Sequence, residues 1–209
     1  MARAVKLLQI ALLILAPHAA GASPSQALYD LLHPIKRLSA QFIQTISDAQ
    51  GAPYETSSGV FSVAEPNRVR WQVIQPMAQE IITDGDRVWV YDPDLQQVIV
   101  QSYDSNMATS PAGLFSGDVQ QLSRDYQIDY KANQSALESY ILIPKAPGGF
   151  YQRLQIDFFK QKPVALQFID SLEQTIRIEF SEVQINLELT DSLFVFEVPP
   201  DVDVISNGN

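Results

Sequence analysis

Four aspartates fall close together in this chain, at Asp84, Asp86, Asp92 and Asp94. Two Asp-x-Asp pairs could hold a divalent cation or share the acid and base roles of a glycosidase. The residues between them point elsewhere. Asp84 and Asp86 flank Gly85, and Asp92 and Asp94 flank Pro93, the composition of tight turns whose aspartates bond their own backbone. Turn chemistry is the reading the sequence favours, with a hydrolase using these turns as the lesser alternative. Other catalytic sets are starved of members. The chain has no cysteine and two histidines, His18 and His33, so Cys/His metal clusters, Ser-His-Asp triads and Cys-His pairs lack partners. His33, just before Pro34 near the end of an expected helix, reads as a helix-terminal or surface residue. There is no Walker-type or dinucleotide glycine loop. No catalytic residue, metal or cofactor is expected.

The elements that position these turns are mostly strands. Residues 25–33 predict a short helix with Leu28, Leu31 and Leu32 on one face, ended by Pro34. Residues 35–46 suit either period, and the β-branched Ile43, Thr45 and Ile46 tip them to a strand. Strands follow at 54–64, 67–75, 79–83, 87–91 and 96–102. In 67–75, Val69, Trp71 and Val73 alternate with Arg68, Arg70 and Gln72, whereas Val88-Trp89-Val90-Tyr91 is apolar on both faces, which predicts a central strand under a covering layer. The periodicity then changes. Ser110-Pro111 predicts an N-cap and first helical position for a short helix through Leu114 and Phe115, and Asp118 with Gln121 a capping box opening a second helix to about Arg124. Strands resume at 126–130, 139–144, 152–159, 164–170, 174–186 and 193–198. No linker or fixed-period repeat divides the chain. The pattern predicts one α+β, mostly β domain: a single antiparallel sheet of about ten strands, curled on itself, with a few short helices on one face or inside one end.

The first residues predict export. Arg3 and Lys6, an apolar run over residues 7–15 and Ala20-Gly21-Ala22 make a secretory signal peptide, residues 1–22, cleaved near Ala22-Ser23 to leave residues 23–209 as the single domain. The run is well short of the roughly 20 residues that a membrane span needs, so no membrane anchor is expected. Removing it leaves 12 basic and 24 acidic residues, a net charge of −12. Such a surface argues against nucleic acid and anionic lipid surfaces, and suits solubility or basic partners. About 190 residues without disulfides can stand on their own core.

From Pro66 onward the residues resemble a known family. Pro66, Arg70-Trp71, Gln79, Asp84-Gly85, Trp89, Tyr91-Asp92-Pro93, Gln97-Val98, Gly117-Asp118, Val198-Pro199-Pro200 and Val202-Asp203-Val204-Ile205 stand in the order and spacing of the LolA family of periplasmic lipoprotein carriers. The resemblance spans roughly residues 25–205. It implies an unclosed β-barrel lidded by short helices, the LolA/LolB-like form. It also implies acylated lipoproteins as cargo, loading by an inner-membrane ABC-type transporter and delivery to an outer-membrane receptor. With no cysteine, this chain cannot itself be lipid-anchored as such receptors are, so the resemblance favours a soluble periplasmic carrier, expected to act as a monomer. An exported lipoprotein sensor or regulator on the same fold is the alternative.

The strands offer one apolar face with Phe42, Phe61, Val69, Trp71, Val73, Leu154, Phe158, Phe168 and Phe180. Pattern alone leaves open whether these form a plain core or a pocket wall. With the resemblance, Phe42, Val69, Trp71 and Val73 are expected in a lipid-facing wall and Leu114 and Phe115 in its lid. Trp89 and Tyr91 are candidates whose facing the sequence does not fix. The family commonly has a basic residue before the proline equivalent to Pro66 that latches the lid, and this chain has Glu65. Glu65, Arg68 and Arg70 are therefore the latch candidates, although alternation puts both arginines on the polar face. The expectation is a lid that closes less tightly, or by packing through Leu114 and Phe115.

Overall fold

The computed structural model describes residues 22–103, 113–116, 119–132, 136–146 and 151–206. Helix α1 (Pro24–Leu32) forms where its start signals lie: the Ser23 hydroxyl caps it, accepting from the Gln26 amide at 3.2 Å, and Pro24 occupies the first turn. Leu28 and Leu32 are its buried face. It ends at His33, whose ring stacks on Tyr29 with centroids 4.8 Å apart.

Twelve strands form one sheet. An antiparallel meander runs through β1 (Arg37–Ser47), β2 (Pro53–Ala64), β3 (Arg68–Gln75), β4 (Gln79–Thr83), β5 (Arg87–Asp92) and β6 (Gln97–Ser102). A second runs through β7 (Tyr126–Ala132), β8 (Leu137–Pro144), β9 (Tyr151–Phe159), β10 (Lys162–Asp170) and β11 (Thr175–Ile185). β1 pairs with β11 and joins the two. With β12 (Asp203–Ser206), the order is β12-β6-β5-β4-β3-β2-β1-β11-β10-β9-β8-β7, so β12 and β7 are free edges and the barrel stays unclosed.

Three expectations need correction. The sheet is not wholly antiparallel: β12, which the sequence did not predict, pairs parallel to β6. The strand expected at 193–198 is a 3₁₀ turn (Asp191–Phe194) followed by unpaired chain, because this segment lies across a sheet face instead of joining an edge. β5 is third from an edge rather than central, though it does lie under a covering layer, described below.

Between the meanders lie α2 (Gly113–Ser116), a 3₁₀ turn (Val119–Gln121) and α3 (Leu122–Asp125). The expected caps at Ser110-Pro111 and Asp118 fall outside the described residues. Gln121, directly before α3, makes no side-chain cap bond.

Strand register sorts side chains onto two faces, because partners across a ladder share a face and neighbours along a strand alternate. One row runs Leu38–Val63–Val69, the next Ala40–Phe61–Trp71, and Phe42 faces Phe180 across the β1/β11 junction. On the second meander the same face carries Leu154, Ile156, Phe158, Leu166, Ile176 and Ile178. Leu28 and Leu32 of α1 and Leu114 and Phe115 of α2 join these residues in one buried apolar cluster. This is the inner face, and α1 and α2 cover it.

Candidate functional site

The centre of the inner face is a nest of five rings. Phe42 stacks on Trp71 with centroids 3.9 Å apart, Phe61 meets Trp71 edge-on at 5.4 Å, and Phe180 stacks on Phe61 at 5.8 Å. Phe115 closes the nest from the lid, meeting Phe61 at 5.9 Å and Phe180 at 6.1 Å, both near perpendicular. Gly59 makes room for it. A Cβ there would lie 1.8 Å from the Gln72 carbonyl oxygen and 3.0 Å from the Phe42 ring, so only glycine lets β2 and β3 approach under that ring. Phe42, Val69, Leu114 and Phe115 are buried, and Trp71 and Val73 are half-buried against the same cluster. These six candidates are brought together. Phe61 and Phe180 complete the nest, and the alternation that selects Phe42 and Trp71 places both beside them.

Trp89 and Tyr91 lie on the opposite face. Register pairs Trp89 with Ile82, and Ile82 with Arg70; Tyr91 pairs with Glu80, and Glu80 with Gln72. Both rings pack on Phe196, at 6.4 and 5.4 Å, beneath the segment that follows β11. Ile82 and Phe194, each 1% exposed, form a smaller outer core there, apart from the inner cluster. Because β5 is apolar on both faces, its sequence carried no signal of which side would face the lid.

Arg68 and Arg70 secure this outer strap. Arg68 ion-pairs with Asp191, donates to the Glu65 carbonyl at 2.9 Å and lies over the Phe194 ring at 5.5 Å. Arg70 pairs with Glu80 and donates to the Leu193 carbonyl at 3.0 Å. Glu65 acts at the root of α1. Its carboxylate meets Lys36 Nζ at 2.9 Å, and its amide donates to the Lys36 carbonyl at 3.0 Å. The same connection is clipped by Asn186, whose side chain accepts from the Lys36 and Arg37 amides at 2.8 and 3.2 Å and donates to the Pro34 carbonyl at 2.7 Å. Asn186 was invisible to local sequence pattern, since its partners lie about 150 residues away.

The aspartates are turn residues. Asp84 accepts from the Asp86 and Arg87 amides at 2.8 and 2.9 Å, beside Gly85 with φ of 103°. Asp92 accepts from the Leu95 amide at 3.0 Å. Among the described residues no group of three His, Cys, Asp or Glu is placed to hold a metal, and no helix is long and apolar enough to cross a membrane.

The inner face is thus an apolar nest under a helical cover. Residues 33–197 match the family model described as outer membrane lipoprotein carrier protein LolA. An outer-membrane lipoprotein carrier protein of Halorhodospira halophila is 36% identical over 205 residues, 98% of this chain and 95% of that relative. One of Hahella chejuensis is 33% identical over 202 residues, 96% of this chain and 97% of the relative. The fold is shared by the crystal structure of an uncharacterized conserved protein from Thermus thermophilus, with a TM-score of 0.57 and 12% identity, covering 88% of this chain and 100% of that one. The chain belongs to the LolA family of outer membrane lipoprotein carrier proteins.

Proposed function

We propose that this chain, as a lipoprotein carrier, holds the acyl chains of its cargo against the inner face, in the space now filled by the lid side chains. The observation that carries this reading is the shared cluster: Leu28, Leu32, Leu114 and Phe115 from two short helices lie in one buried apolar cluster with Phe42, Phe61, Val69 and Phe180, and Phe115 packs directly on Phe61 and Phe180. Displacing the helices would expose a continuous apolar wall, and Phe42, Val69, Trp71 and Val73 are its lipid-facing members. Trp89 and Tyr91 belong instead to the support of the outer face.

A carrier is needed because each buried methylene contributes about 0.8 kcal/mol, which sums to tens of kcal/mol for a multi-chain anchor. Desorption from a membrane is negligible without work. The cargo therefore comes from an ATP-driven inner-membrane transporter, and passes to an outer-membrane receptor that binds it more tightly. The carrier works by binding and release, without covalent chemistry, as a soluble periplasmic monomer once residues 1–22 are removed.

The test adds the purified protein to energised spheroplasts bearing labelled outer-membrane lipoproteins. A soluble complex on size exclusion is expected, and it should be lost with Trp71→Glu while the variant keeps its far-UV spectrum. A folded wild-type chain that releases nothing would overturn the reading.

A further inference from the structure

We infer that the paired hydroxyls of Tyr126 and Tyr151, beside the cleft between α1 and α3, bind the ester and amide carbonyls that join acyl chains to the cargo's N-terminus. The inference rests on the carrier reading and adds a polar subsite to it. Tyr126 and Tyr151 are 6% and 5% exposed and both belong to the inner apolar cluster. Their hydroxyl oxygens are 2.7 Å apart and their rings are parallel within 4°. Around them the inner face is apolar, with Phe168 at 6.1 Å from the Tyr151 ring and Ile128, Leu142 and Leu154 in the same cluster.

Phenylalanine would fill such positions as well, and a phenol taken out of water costs free energy unless it is bonded. One of the two hydroxyls donates to the other in this structure. A phenol donates once and accepts besides, so a small rotation lets the pair donate to a carbonyl oxygen instead. Phenols are protonated donors at neutral pH, and burial raises both of these further.

A cleft that neither tyrosine lines, but that reaches Ile128 of the same cluster, is the proposed route. It has a volume of about 550 Å³ and is lined by Ser23, Gln26 and Leu28 on one side and Leu122, Arg124 and Ile128 on the other. Its floor, Leu28 and Ile128, is part of the inner cluster, while its rim is polar. Ile128 is two residues from Tyr126 on the same face of β7, roughly 7 Å along the strand. Acyl tails would run from this point under the lid. The carbonyls would meet the tyrosines, and the peptide would leave over the rim.

Two synthetic lipopeptides test this: a peptide with an S-diacylglyceryl N-terminal cysteine, and its analogue with ether links in place of the two esters. Binding is read by displacement of a fluorescent fatty acid from the protein purified from the periplasm. The wild type should prefer the ester form about tenfold, the worth of one to two hydrogen bonds. The Tyr126→Phe/Tyr151→Phe double variant should lose the preference yet still bind the ether form. Equal wild-type affinity for both, or a preference that survives in the double variant, would overturn the inference and leave the carrier intact. Binding of neither by a folded wild type would overturn both. Each single Phe variant, with its melting temperature, guards against reading an unfolded double variant as loss of the preference.

Discussion

The same stretch of sheet, β1 to β5, carries aromatic groups on both faces, and the two are covered differently. On the inner face Phe42, Phe61 and Trp71 form a nest that Phe115 closes, and leucines of two short helices belong to the same buried cluster. On the outer face Trp89 and Tyr91 are capped by Phe196, from a strap that Arg68 and Arg70 secure through Asp191, the Leu193 carbonyl and the Phe194 ring. Apolar contact is non-directional and roughly proportional to area. An acyl chain can therefore replace a lid leucine or phenylalanine at little net cost. Ion pairs and hydrogen bonds are directional, and an apolar ligand cannot replace them. Under the proposed function the inner cover is the one an acyl chain would exchange with, while the outer one stays in place.

The largest test of this contrast is Phe61→Ala against Phe196→Ala. Phe61 is 1% exposed and touches Trp71, Phe115 and Phe180, so its loss should cost about 3–5 kcal/mol in urea unfolding and take cargo binding with it. Phe196 packs on two half-buried rings, and its truncation should cost less, about 1–3 kcal/mol, with cargo binding unchanged. If a folded Phe196→Ala protein failed to form the cargo complex, the two faces would not be functionally separate.

Alkali should strike the inner face next. Burial pushes the Tyr140 phenol up to about 12, and it raises Tyr126 and Tyr151 as well. All three belong to the inner cluster. A folded-state value above the unfolded value of about 10 means that the neutral phenol is favoured by folding. That stability is fully present below pH ~10 and is lost as pH rises through the folded values. Melting temperature should therefore hold steady from pH 8 to 10 and fall between pH 10 and 12, less steeply in Tyr140→Phe. An unchanged slope in that variant would remove Tyr140 from the account.

How much of this was legible depended on whether the signal was local. The row of Val69, Trp71 and Val73 against Arg68, Arg70 and Gln72 fixed both faces of β3 by alternation alone. The turns at Asp84 and Asp92 were equally plain, since their chemistry closes within three residues. β5 gave no facing because Val88-Trp89-Val90-Tyr91 has no polar member to break the tie. The strap was misread as a strand because Phe194, Val195, Phe196 and Val198 are aromatic or β-branched, and it needs the arginines of a segment over 100 residues earlier to be placed. β12 is four residues long and all exposed, so nothing in it announced a parallel partner.

Position 65 gives the finest test. The family resemblance expects a basic latch there, yet Glu65 grips Lys36, at the root of α1, and not the lid's far end. The pair is partly exposed, with side chains 28% and 51% accessible, so its contribution to global stability should be under about 1 kcal/mol. Glu65→Arg would set two cations together at this hinge while Asn186 still clips it from the other side. Urea unfolding should barely change, while amide exchange across α1 should quicken and cargo should be released sooner. Slower exchange would mean that an arginine restores a latch that the native chain lacks. No change in either exchange or release would take position 65 out of lid control and leave α1 held by its apolar face and by the Asn186 clip at its root.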